Sequence, residues 1–165
     1  MIIRVVPDLY ERYIKGTEKH SIVQSINAFL CNLTKSVIKG IKCPCDKVYV
    51  TTRVIKHIYD KRPAEEFEFL IMNIHSVIKY PDFIYKNKSA KRGTYCFIKE
   101  IKNNKYFCSV EIIEKDNIET MEIATFFRVK DDYLKSYELL WKWEGGNLHR
   151  SMFDSGLTQP SNTLQ

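Results

Sequence analysis

The stretch AEEFEFLIMNIHSVIKYPDFIYKN, residues 64–87, changes its hydrophobic period part-way along. Its first part sets Phe67, Leu70, Ile71, Ile74, Val77 and Ile78 at three- and four-residue steps, the spacing of one helical face. Glu65 and Glu66 suit the positive end of that helix dipole, and Pro81 stops the helix. Beyond Pro81 the period becomes two, in DFIYKN and again in TYCFIKEI (94–101), KYFCSVEII (105–113) and MEIATFFRV (121–129). Short KNN and KDNIE turns join the last three. A packed helix followed by a β-meander of successive antiparallel strands is an α+β pattern.

Upstream, Ile22, Ile26, Phe29, Leu30, Leu33, Val37 and Ile41 recur at helical steps, which predicts one long amphipathic helix from Glu18 to Ile41. It ends at GIKCPCD. KVYVT (47–51) is β-rich, and Thr52 is placed to cap a helix from Arg53 to Lys61 that Pro63 would stop. Downstream, DDYLKSYELLWKW (131–143) spaces Leu134, Tyr137, Leu140 and Trp141 as a closing helix. The expected fold is therefore N-terminal helices, a twisted antiparallel sheet and a C-terminal helix. It divides into a helical extension (1–45), a main domain (46–144) and a polar, flexible tail (145–165).

Lys plus Arg number 26 against 20 Asp plus Glu, a formal charge of +6 that favours polyanionic partners and also serves plain solubility. No apolar run approaches the ~20 residues that a membrane-spanning helix needs. MIIRVVPDLY is broken by Pro7 and Asp8 and does not read as a signal peptide; with five widely spaced cysteines, this points to reduced thiols and a cytoplasmic setting. Cys43 and Cys45 lack the second pair that a structural zinc site requires, so neither metal nor cofactor is expected. A glycine-rich phosphate loop, an HExxH pair and a nucleophile elbow are all missing from the sequence.

Two segments are candidates for chemistry. In TTRVIKHIYDKRP (51–63), Val54, Ile55 and Ile58 would pack inward while Arg53, His57 and Lys61 stack at successive turns on an adjoining stripe. That stripe fits a solvated basic face, with Asp60 a local partner for His57. It equally fits a phosphate site, where His57 moves a proton near neutral pH and the cations stabilise developing negative charge. In YKNKSAKRGTY (85–95), Lys86, Lys88, Lys91 and Arg92 crowd a loop bordered by Tyr85 and Tyr95. Such a loop is either simply solvated or holds a nucleic-acid strand, lysines on phosphates and rings on bases. Thr125 alternates with Met121, Ile123, Phe127 and Val129, a pattern that favours a buried threonine unless that face opens into a cleft. His75, beside the apolar stripe of its helix, reads as structural.

The order and spacing of VYVTTRVIKHIYDKRP, IHSVIKYPDFIYKN, KRGTYCFIKEI, YFCSVEII and EIATFFRV, over residues 47–143, resemble the phage-associated nuclease domains of the barnase, EndoU, colicin and RelE-like superfamily. The resemblance implies a metal-independent ribonuclease in which the 2′-hydroxyl attacks the adjacent phosphate on a concave sheet face. His57 matches the histidine of the family's first helix, Thr125 the polar residue of a late strand, and Lys91 and Arg92 the basic residues before the second strand. Lys61 joins them from its helical spacing. No second histidine aligns with the site, so the acid and base assignment is open, and Glu100 and Glu111 are alternatives; Lys61 and Arg92 are too basic to donate efficiently and suit electrostatic stabilisation. The implied function is an RNA-cleaving toxin or mobile-element effector, with RNA and an inhibitor or immunity protein as partners. A noncatalytic RNA-binding module and a phage accessory interaction domain are the rival readings.

Overall fold

Thr52, just past the end of a short strand, ties the start of the next helix to the segment at residues 24–26. Its buried hydroxyl donates to the Gln24 carbonyl (2.6 Å) and accepts from the Ile26 N–H (2.9 Å). The computed structural model describes residues 4–88 and 94–144, so Lys91, Arg92 and the tail from residue 145 lie outside the described residues. Within it, α1 (Val5–Leu9) runs on as a π-helical turn to Ile14, followed by β1 (Asn27–Asn32), α2 (Lys35–Ile41), β2 (Lys47–Thr51), α3 (Thr52–Lys61) and α4 (Ala64–Lys79). Then come β3 (Phe83–Lys86), β4 (Tyr95–Ile101), β5 (Asn104–Lys115), β6 (Ile118–Val129), a 3-10 turn (Asp131–Leu134) and β7 (Leu139–Lys142).

The strands form one sheet of seven in the order β1-β2-β6-β5-β4-β3-β7. β4, β5 and β6 are successive hairpins. Their turns, Lys102–Asn103 and Asp116–Asn117, all have positive φ (51°, 68°, 53° and 64°), the two-residue geometry that matches strand twist and that asparagine tolerates. α4 buries Phe67, Leu70, Ile71, Ile74, Val77 and Ile78, the stripe expected from its sequence. It lies on the sheet face that carries Phe97, Cys108, Val110 and Phe126, and together they make the main core.

Three features depart from helices, antiparallel meander and closing helix. The expected helix from Glu18 to Ile41 is an extended segment, then β1, with only Lys35–Ile41 helical. Ile22 is 99% exposed, so the apparent stripe is not a buried face. β1 instead gains backbone partners from antiparallel β2, with a register shift between Phe29 and Cys31 that buries the adjacent Leu30 and Cys31. The sheet is mixed, because β2 runs parallel to β6. The expected C-terminal helix is the 3-10 turn and β7, which satisfies the outer edge of β3 by pairing Ile84 with Trp141. Short apolar runs fit either period, and a free sheet edge decides for the strand. The Trp141 indole lies against Gly40 of α2, where a Cβ would overlap the ring. The structure is thus α+β with a seven-stranded mixed sheet, and residues from α1, β1 and α2 share its main core.

Candidate active site

β2 pairs with β6 only at Val48–Met121 and Tyr49–Glu122 before the chain turns into α3. The turn is capped one residue earlier than expected: the Thr51 hydroxyl accepts from the Val54 N–H (3.3 Å), while Thr52 serves the N-terminal segment. α3 therefore packs along the later half of β6, burying Val54, Ile55 and Ile58. Lys56 is also buried. Its ammonium donates to Asp60 (2.7 Å) and to the Glu18 carbonyl (2.6 Å), and the His20 N–H donates to the other Asp60 oxygen (3.0 Å). Asp60 is thus engaged by Lys56 rather than reserved for His57. Burial works to raise the Asp60 carboxyl, but these donors outweigh it and hold the group below its ordinary value.

With Lys56 anchored inside, the exposed stripe of α3 is Arg53, His57 and Lys61. Between this stripe and β6 lies a cleft of about 160 Å³ lined by His57, Ile58, Lys61, Arg62, Thr125, Phe126 and Phe127. Three residues singled out in the sequence, His57, Lys61 and Thr125, therefore meet in one depression. Arg53 is exposed one turn away on α3.

Thr125 reaches the cleft because of a bulge. Ser109 pairs with Thr125 but Val110 with Ile123, which leaves Ala124 as an extra residue and reverses the alternation. Met121 and Ile123 enter the main core, while Phe127 and Val129 belong to a second cluster on the opposite face. The continuous face from Met121 to Val129 expected from alternation is broken at this point. The Thr125 hydroxyl is 2.7 Å from that of Ser109, which is buried, so the pair orients a half-buried threonine towards the cleft.

Arg62 was not anticipated. It follows the last helical residue with φ −109° and ψ 149°, because a residue before proline is pushed out of the helical region. Its guanidinium leaves the α3 stripe and sits 5.8 Å from the Phe127 ring centroid. The signal was present in Pro63.

The second basic segment is divided by the sheet. Tyr85 pairs with Cys96 and joins the second cluster, with its ring 6.4 Å from Tyr137. Tyr95 packs on the main core and pairs with Lys86. The two tyrosines that border the basic loop therefore lie on opposite faces. Lys88 reaches the Ser136 hydroxyl and stands 5.5 Å from the Tyr137 ring centroid, on the same side as Tyr85. Glu100 is exposed near the β4–β5 turn and Glu111 is opposite Glu122 on β5; neither lines the cleft.

The cleft offers an imidazole, an ammonium, a guanidinium and a hydroxyl, a donor set that attracts an anion and disfavours a metal cation. Among the described residues no three His, Cys, Asp or Glu side chains converge as metal ligands, and no helix is long and apolar enough to cross a membrane.

A family model described as phage-Barnase-EndoU-ColicinE5/D-RelE like nuclease 3 matches residues 31–136. The chain belongs to this nuclease family. No curated protein and no solved structure matches the chain. The family segment includes α3, α4 and β2 to β6, and hence every residue that lines the cleft.

Proposed function

We propose that this nuclease cleaves RNA in the α3–β6 cleft, without a metal, by attack of the 2′-hydroxyl on the adjacent phosphodiester. The observation that carries the reading is the convergence of His57, Lys61, Arg62 and Thr125 on one depression. In the step itself the O2′–P bond forms and the P–O5′ bond breaks. A base takes the 2′-hydroxyl proton and an acid returns one to the 5′-oxygen, leaving a 2′,3′-cyclic phosphate and a 5′-hydroxyl. His57 is the cleft's group for proton transfer near neutral pH. Lys61 and Arg62 stabilise the charge on the nonbridging oxygens, with Arg62 held in place by Phe127. Thr125, oriented by Ser109, offers a hydroxyl to the phosphoryl group.

The phage association of the family supports an effector role for a phage or other mobile element, acting on RNA in the cytoplasm. A cationic cleft of this kind is also the surface that an acidic inhibitor protein would cover.

Incubation with total RNA in EDTA tests the reading. Fragments with 2′,3′-cyclic ends are expected, and His57→Ala should slow their formation by about 10²–10⁴-fold while RNA affinity stays within a few-fold. Undiminished turnover in His57→Ala removes that residue from the mechanism. Salt-dependent binding with no cleavage in any condition would instead make the chain a noncatalytic RNA-binding module.

A further inference from the structure

Among the described residues, those that pack on the sheet face opposite α4 cover it only in part. Its buried cluster is small, Cys96, Ile98, Phe107, Val129 and Leu134, and the segment after β6 lays Tyr133 and Tyr137 across it. Tyr133 remains 46% exposed. An unbroken run of contacts crosses this face. It starts in the cleft with Arg62 at 5.8 Å from Phe127, continues to Tyr133 (5.9 Å, 85°) and Tyr137 (5.9 Å, 27°), and ends with Lys88 at 5.5 Å from Tyr137. β6 and β3 are three strand spacings apart, roughly 15 Å, the span of a short oligonucleotide.

Packing alone accounts for the inner rings, which bury apolar area. It does not account for a half-exposed tyrosine stacked on another between two cations. The burial of Tyr137 and its hydrogen bond with Tyr133 push that phenol up to about 12. Asp131, at the outer end of the turn, is paired with Lys105 (3.2 Å).

We infer that Tyr133, backed by Tyr137, is a base-stacking subsite that selects unpaired RNA, seating a base that flanks the phosphate held in the α3–β6 cleft. The inference rests on the reading of that cleft as the site of RNA cleavage. The occupant follows from charge and continuity: cations at both ends match a phosphate backbone, and the rings between them match bases. A duplex base is already stacked on both faces and has none to offer, so the subsite discriminates by strandedness rather than by sequence.

The test compares a single-stranded oligoribonucleotide with the same strand annealed to its complement, using wild type, Tyr133→Ala and Tyr133→Phe. Tyr133→Ala should raise KM for the single strand roughly five- to hundredfold with kcat within a few-fold, and should erase the preference over duplex. Tyr133→Phe, which keeps the ring and loses only the hydroxyl bonded to Tyr137, should keep the wild-type KM and strand preference. Binding of a 2′-O-methyl strand, which lacks the attacking hydroxyl, reads the subsite without cleavage. Weaker binding by Tyr133→Ala supports the inference, and equal affinity for wild type and Tyr133→Ala, or for single strand and duplex, overturns it. A wild type that binds the methylated strand but leaves the unmodified one intact defeats the cleft reading alone. Thermal melting checks that the variants fold, and Tyr133→Leu, similar in bulk but without a π face, substitutes if alanine does not.

Discussion

The two faces of the sheet are built from different chemistry. Under α4 the contacts are mainly aliphatic and dry, with Leu70, Val77 and Ile78 wholly buried and Ile74 nearly so. On the other face the rings of Phe83, Tyr85, Phe127 and Tyr137 are only half covered, cations stand over two of them, and the cleft opens at the β6 side. One face supplies stability, and the other leaves apolar and charged groups accessible where stability alone would cover them. That division assigns different outcomes to substitutions that lie close together in space.

The largest expected effect is on the dry face. Leu70→Ala leaves a cavity under the middle of α4 and should cost about 2–5 kcal/mol, read as a lower urea midpoint with an unchanged slope. Activity at low temperature should survive, because no cleft residue is touched. A specific loss of cleavage in a fully folded Leu70→Ala protein would break the division between the faces.

Thr125→Val sharpens it from the other side. The substitution keeps the shape but removes the hydroxyl 2.7 Å from Ser109, and an orphaned buried hydroxyl costs about 1–3 kcal/mol. Adding Ser109→Ala removes the orphan, so the double variant should recover most of the stability and none of the lost cleavage. Recovery of both would return Thr125 to a purely structural part. Denaturation and single-turnover cleavage on wild type, Thr125→Val and the double variant decide it.

How much of this was readable in advance depended on whether a segment's pattern is local. α4 carries a sixteen-residue helical stripe, and the β4–β5–β6 hairpins carry β-rich runs of period two around asparagine turns, so both announce themselves. His57 and Lys61 lie one turn apart, and their shared stripe follows from helix geometry. β1 and β7 were misread because each is a strand only by virtue of its partner: Leu30 and Cys31 need β2, and Trp141 needs β3. Thr125 was placed on the wrong face because one bulged residue, Ala124, reverses the phase of everything after it. Arg62 was overlooked because the basic stripe was read at helical steps, Arg53, His57 and Lys61, and a residue that leaves the helix just before Pro63 falls off that spacing.

The smallest effect separates the faces by pH. His75 sits half-buried on α4, and burial, reinforced by Lys79 one turn on, lowers its pKa below the ordinary 6.5. The folded protein then binds this proton less readily than the unfolded chain does. Stability is accordingly full above pH 6.5, begins to fall as pH drops through that value, and stops falling once the folded imidazole itself is protonated. The Asp60 carboxylate, held down by Lys56, contributes a separate loss that begins only near its ordinary 3.8, below the pH at which the His75 loss begins. His75→Leu should remove the upper leg while the cleavage profile, set in the cleft, keeps its shape. If the substitution moves the cleavage profile and leaves the stability curve alone, the α4 face is coupled to the chemistry and the two sides of the sheet are not independent.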